Sequence, residues 1–373
     1  MRRADALRLS GLRLASQRIV GSEFTAPAQA AEWMLASQAQ DLGSARWALG
    51  VRSPASTISD VDEAFNTGRL VRSWPFRGTL HVTDARDLGW MLELSAARTV
   101  RGARGRHAQL GLDQPSFDRA ADVASNVLRG GAQLSRAELF AEFDAAGLQT
   151  AGGRGGHILW YLSHVGLVCL GPLSATGQAV VLTSEWIGDP RQYSRPESLT
   201  QLALRYFSSR GPATLADLLS WSKLLVPEAT AGLAGARDRL REIVIEQTSY
   251  FVAAELPEQP PAAHSGLVLL PGFDEYLLGY RDREAVLAEQ HREHVVPGGN
   301  GIFLPMIVSG GQIVGTWKRG ASRRALSIET RPFIGLSKAQ QGRLRRAASA
   351  YARFVGADPR TVTIDGAPPP STP

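Results

Sequence analysis

The chain has 373 residues, 44% of them hydrophobic and 20% charged, with a formal net charge of +6. That length suits two to three domain-sized units, and that apolar fraction excludes a wholly disordered or fibrous chain. The single cysteine, Cys169, set among the apolar Leu167, Val168 and Leu170, excludes a disulfide framework and a four-thiolate metal site, and points to a buried thiol in a reduced, intracellular protein.

In chain order, Thr25 and Pro27 start a helix expected over 28–37, with Trp33, Met34 and Leu35. Runs at 70–74 and 79–82 alternate as strands across Pro75-Phe76-Arg77-Gly78. Thr83 is then expected to cap a helix through Leu88, Met91 and Leu94, which runs into the basic stretch Arg98, Arg101, Arg104, Arg106 and His107. A second unit opens at Leu134: Ser135 caps a helix over 137–145, another covers about 156–165, and strands at 167–170 and 179–183 follow. Helix, turn, helix and hairpin is the plan of a winged helix-turn-helix. A third unit repeats it with helices at 199–210, from Thr214, and at 233–241, then strands at 243–246 and 250–253. Pro257, Pro260 and Pro261 mark a linker to strands at 267–270, 303–308 and 312–318, a basic helix within 331–355, and a Pro-rich end after Gly366 that is expected to be disordered. The expected fold class is therefore α+β: three tandem winged helix-turn-helix units at 1–130, 131–190 and 191–260, then a C-terminal mixed α/β segment at 261–373.

The net charge conceals a gradient. Residues 1–130 hold 17 basic and 13 acidic side chains, residues 131–299 hold 13 and 19, and residues 300–373 hold 11 and 3. Two basic ends around an acidic middle suggest an anionic partner met at both ends. Arg8, Arg13 and Arg18 interrupt every apolar run near the start, and His164, Pro172 and several glycines break the most apolar stretch. No signal-peptide core and no membrane span are expected, which gives a cytoplasmic protein.

Four strings are candidates for chemistry. On a continuous helix the amides of Gln38 and Gln40 would lie about 200° apart. If the helix ends near Gln38, an extended turn places both on one side, where two neutral donor–acceptors can hold a water between them. The commoner role of such a pair is solvated surface or a helix cap. Arg77 at a hairpin tip, with His81 on the returning strand, either wedges into a groove and holds phosphate or belongs to a locally packed hairpin. Phe273-Asp274-Glu275-Tyr276, with Arg281-Asp282-Arg283, is either a site or an internal salt-bridge network at a domain junction. Lys318 and Arg319, with Arg323 and Arg324, make a basic hairpin and loop suited to phosphate or to plain surface charge. His291 and His294 lack the i, i+4 spacing of helical zinc sites and have no evident third ligand, so no metal and no cofactor are expected.

Taken in order, Gln38-Ala39-Gln40, Arg77-Gly78-Thr79-Leu80-His81, the Phe273–Arg283 string and Gly315-Thr316-Trp317-Lys318-Arg319 resemble the AlkZ/YcaQ family of bacterial DNA glycosylases, over about Gln17 to Val355. The resemblance implies three tandem winged helices and a catalytic Gln-x-Gln or Gln-x-Asp motif. This chain matches the Gln-x-Gln branch, that of the azinomycin-resistance glycosylase. It implies catalytic roles for Gln38 and Gln40 on N7-alkylguanine and on interstrand crosslinks left by alkylating natural products, in DNA repair or self-resistance. The implied partner is double-stranded DNA carrying alkylated purines, held by Arg77, His81, Lys318, Arg319, Arg323 and Arg324. An N7-alkylated guanine is already cationic and leaves without a strong acid, so the enzyme needs mainly a placed water and tolerance of an oxocarbenium-like sugar. Whether the base is flipped stays open. The alternative is a non-enzymatic winged-helix regulator, which predicts a preferred sequence and usually a dimer; three modules in one chain suit a monomer.

Overall fold

The computed structural model describes residues 1–174, 177–260, 266–320 and 326–366, and is a mixed α+β structure. It begins with α1 (Arg3–Ser16), α2 (Pro27–Met34), β1 (Ser37–Gln38), α3 (Leu42–Arg52), α4 (Ile58–Asn66), β2 (Leu70–Phe76) and β3 (Thr79–Asp84). Then come α5 (Leu88–Gly102), α6 (Arg104–Gln109), α7 (Gln114–Val127), α8 (Arg136–Ala145), α9 (Arg154–His164), β4 (Val168–Ser174) and β5 (Gly177–Leu182). The middle continues with α10 (Thr183–Trp186), α11 (Arg195–Arg210), α12 (Leu215–Ser222), α13 (Val226–Ala236), β6 (Leu240–Ile245) and β7 (Thr248–Ala253). The last part holds β8 (Leu267–Leu270), α14 (Glu275–Leu278), α15 (Arg292–Val295), β9 (Met306–Ser309), β10 (Gln312–Arg319), β11 (Ser327–Pro332), α16 (Lys338–Phe354) and β12 (Thr363–Gly366). Among the described residues no helix is long and apolar enough to cross a membrane.

Local chemistry explains most boundaries. Ser135 accepts from the Glu138 amide and Thr214 from the Asp217 amide, each closing a reciprocal capping box at the start of α8 and α12. Four expectations shift. The helix expected over 28–37 is α2 and stops at Met34, because Leu35 turns into the left-handed region (φ 63°) and Ser37 and Gln38 pair with β3 instead. Thr83 caps nothing: its hydroxyl donates to the carbonyls of Leu35 and Asp84, and a turn at 85–87 precedes α5. The helix expected at 233–241 starts at Val226 and ends at Ala236, and β9 starts at Met306, since Pro305 has no N–H to pair. The Pro-rich end and the Arg323–Arg324 loop lie outside the described residues.

Among the described residues two five-stranded sheets, ordered β1-β3-β2-β4-β5 and β12-β11-β10-β9-β8, and the separate β6-β7 hairpin make up the strands. The first sheet spans residue 130, because β2 pairs with β4 at Arg72↔Leu170. The N-terminal helices are packed across the molecule. Leu9 and Leu12 of α1 join Ile243, Tyr250 and Val252, while Trp47 of α3 lies with its ring 5.0 Å from those of Tyr351 and Phe354. Gly50 is required there, since a Cβ would stand 2.4 Å from the Phe354 ring. Each large apolar side chain buried in this way contributes about 1.5–3 kcal/mol, so α1 and α3 are held in part by the chain's C-terminal half. Cys169 is buried, and burial pushes its thiol up to about 12.

Candidate active site

Beyond Leu35 the chain runs extended along the edge of β3, with Ser37 opposite Val82 and Gln38 opposite His81. The Ala39 N–H donates to the Leu80 carbonyl at 2.7 Å, so pairing continues past β1. In an extended segment alternate side chains share a face. Ser37 and Ala39 are buried, whereas Gln38 is half-buried and Gln40 exposed. Both amides therefore emerge on one side. The Gln38 amide has no hydrogen-bond partner among the described residues, and Gln40 Oε1 accepts only a long bond from the Leu80 N–H (3.4 Å).

The main chain of this segment is held from several sides. Arg210 donates to the carbonyls of Met34 (2.9 Å) and Ala36 (2.7 Å). The Gln38 N–H donates to Glu275 Oε1 (3.2 Å). Arg72 donates through Nε to Ala39 O (2.7 Å) and through Nη2 to Gln40 O (3.1 Å). The Asp41 carboxylate accepts from the Ser44 N–H and caps α3.

Glu275 is the hub. It is 1% exposed, paired with Arg210 (2.9 Å) and Arg77 (3.5 Å), and accepts from the Trp221 indole (2.8 Å). Burial works against its charge, but Arg210 and then Arg77 outweigh it and hold the carboxyl down at about 2. Arg77 and Gly78 both have positive φ (57° and 66°), the type I′ geometry of a two-residue hairpin turn. Arginine is an uncommon choice there, and its side chain is held inward by Glu275 and His81. His81 is fully buried. Its Nδ1–H donates to the Thr79 carbonyl (2.8 Å), which leaves Nε2 to accept from Arg77 (3.1 Å). Burial and then the Arg77 charge push it down to about 3, so the imidazole is neutral.

These shifts fix the pH response. His81 titrates near 3 folded against 6.5 unfolded, so between those values the unfolded chain binds more protons and stability falls as pH drops. Glu275, held at about 2 against 4.5, loses its contribution as pH falls from about 4.5. His164, buried and held at about 4, adds to the upper window. The urea midpoint is expected to decline progressively below pH 6.5. His81→Gln should flatten the decline between pH 6.5 and 4.5, and a slope identical to wild type would count against this account.

The structure thus brings Gln38, Gln40, Arg77 and His81 together, with His81 behind Arg77 rather than at the surface. Lys318 and Arg319 are exposed at the end of β10, with Lys318 paired to Glu329 (2.8 Å). Tyr351, whose phenol burial raises, packs against the Trp47 ring of α3 and the Trp317 ring of β10. Arg323 and Arg324 lie outside the described residues. The Asp274–Glu275 string is an ion-pair network, but its partners are Arg52 from α3, Arg210 from α11 and Arg77 from the hairpin, not the adjacent Arg281 and Arg283. His291 and His294 pack on the Phe333 ring, and among the described residues no group of three or more His, Cys, Asp or Glu is arranged to hold a metal. Sequence reasoning missed Arg72, Arg210 and Trp221; nothing in their local strings marks them, because each meets the site only through the fold.

Comparison with known proteins places the chain among the DNA glycosylases, hydrolases of N-glycosyl bonds: a family model described as DNA glycosylase AlkZ-like matches residues 31–354. The chain belongs to that AlkZ-like family. It is 27% identical over 294 residues to the interstrand DNA cross-link repair glycosylase of Streptomyces sahachiroi, covering 75% of this chain and 79% of that protein. The solved structure of Streptomyces sahachiroi DNA glycosylase AlkZ matches with a TM-score of 0.80 at 24% identity, over 96% of this chain and 98% of that one, which shows the shared fold. Family membership favours the enzyme over a non-enzymatic regulator.

Proposed function

We propose that the chain hydrolyses the N-glycosidic bond of cationic N7-alkylguanine in duplex DNA, with Gln38 and Gln40 holding the attacking water. One observation supports this reading most. Two neutral amides face the same side, while Glu275, the carboxylate that holds their main chain, is buried, ion-paired and held at about 2, so it carries no proton to give a leaving base. A site built on neutral amides, with its buried acid held ionised, suits a base that is already positively charged. The exposed Lys318 and Arg319, together with Arg323 and Arg324, supply the phosphate contacts in this reading, beside the hairpin whose tip carries Arg77 and is backed by His81. The three helix-and-hairpin groups act as tandem winged helices, at 1–130, 131–190 and 191–260, on one duplex as a monomer, in the bacterial cytoplasm at the nucleoid. The relative's repair of interstrand cross-links supports bulky adducts and crosslinks as substrates, in DNA repair or self-resistance.

The test is base release by the wild-type protein from duplexes carrying N7-methylguanine, 3-methyladenine, a bulky N7 adduct or the uncharged hypoxanthine. Cationic bases are expected to be released, with hypoxanthine slower by about 10²-fold or more, the scale of a missing general acid. Equal rates on charged and uncharged bases would overturn the proposal.

A further inference from the structure

We propose that Arg72 is a positioning residue for the glutamine pair, its guanidinium fork fixing the direction in which Gln40 leaves the strand. The inference rests on the reading that Gln38 and Gln40 hold the water. β1 ends at Gln38, α3 begins at Leu42, and the chain must turn between them. Across that turn the Ala39 N–H to Leu80 bond is the last main-chain tie to β3, and Gln40 itself is exposed. Both carbonyls of the turn, Ala39 O and Gln40 O, are gripped by the one side chain of Arg72 at 2.7 and 3.1 Å. Its remaining nitrogen reaches Gln178 Oε1 (3.4 Å), which orients the fork from β5.

The sheet register shows why this is a clamp rather than a chance contact. Residues directly opposite one another in antiparallel strands share a face. Ser73, His81 and Gln38 lie across one face, and Arg72, Val82 and Ser37 across the other. Glu275 therefore takes the Gln38 main-chain N–H from one side of the sheet while Arg72 takes the following carbonyls from the other. Removal of either frees one end of the Gln-x-Gln segment. A planar fork with divergent donors can bond two carbonyls at once; a lysine ammonium on its flexible stem holds no such geometry. Placement of this kind acts on rate, since a displacement of about 1 Å costs on the order of 10²-fold.

The experiment measures the single-turnover release rate of N7-methylguanine and, separately, the affinity for the same duplex. Arg72→Ala is expected to slow release by about 10²-fold with affinity near wild type, and free guanidinium in the buffer to restore part of the rate. Arg72→Lys should fall between Arg72→Ala and wild type. A wild-type rate in Arg72→Ala overturns the proposal. So does a loss confined to affinity, which marks a phosphate contact, or a rate loss that guanidinium leaves untouched. Should Arg72→Ala be too unstable for kinetics, Arg72→Lys decides: a reduced rate at unchanged affinity supports the clamp and a wild-type rate removes it. The Gln38→Ala/Gln40→Ala double variant, run alongside, separates the two ideas. If it keeps full activity the water-holding reading fails; if it is inactive while Arg72→Ala is not, only the clamp fails.

Discussion

The protein carrying both Gln38→Ala and Gln40→Ala should bind duplex DNA like the wild type yet release N7-methylguanine about 10²- to 10³-fold more slowly. The magnitude follows from what the amides offer. Each presents a donor and an acceptor on one side of the strand, with no strong hydrogen bond of its own to break. They are therefore free to orient water without reorganisation at the moment of reaction. Each single variant keeps one amide and should lose less than the pair; the two losses should not add, because one water is shared. Neither substitution should unfold the protein, since Gln40 is exposed and Gln38 is held through its main-chain N–H, which alanine retains. Single-turnover kinetics with a thermal-unfolding control tests this. Full activity in the double variant would remove both residues from the reaction.

The second large effect is on stability. Arg52 and Asp274 form a two-pronged pair with both bonds at 2.9 Å and almost no exposure, and Arg52 also donates to Gln17 Oε1 (2.7 Å) and Ala48 O (2.9 Å). Gln17 in turn donates to the Tyr280 hydroxyl, which donates to Arg210 O. The network joins α1, α3, α11 and the segment that carries Glu275. Arg52→Met leaves the Asp274 carboxylate buried without its cation and is expected to cost about 3–5 kcal/mol. Adding Asp274→Asn removes the orphaned charge and should recover part of that loss. Urea unfolding of the two proteins measures it; a loss under about 1 kcal/mol in Arg52→Met would show that the pair carries little of the fold. Glu275 sits one residue from Asp274, so surviving Arg52→Met protein should also show weakened excision.

Much of the fold was legible because it is local. Ser135 and Thr214 cap their helices through bonds three residues away, and the alternation at 70–82 and 167–183 places both hairpins. Legibility failed where a distant strand outbid local preference. Leu35 to Gln40 reads as the end of a helix, and only pairing with β3 makes it an extended edge. Thr83 looks like a helix cap, but its hydroxyl is taken by the Leu35 carbonyl, 48 positions away. The acidic string at 274–275 was recognisable as a network, yet its adjacent arginines proved to be the wrong partners.

What the sequence determined by itself is the stock of side chains: two neutral amides with one residue between them, a basic hairpin, a single thiol among apolar neighbours and basic charge gathered at both ends. Tertiary structure decided the geometry. Gln38 meets Glu275 across 237 positions, Arg210 meets it across 65, and Arg72 reaches Ala39 across 33. Contacts at such separations leave no trace in a local string. They form only when burial of apolar surface elsewhere brings the strands together, and buried charges must then find whichever opposite charge the packing has delivered.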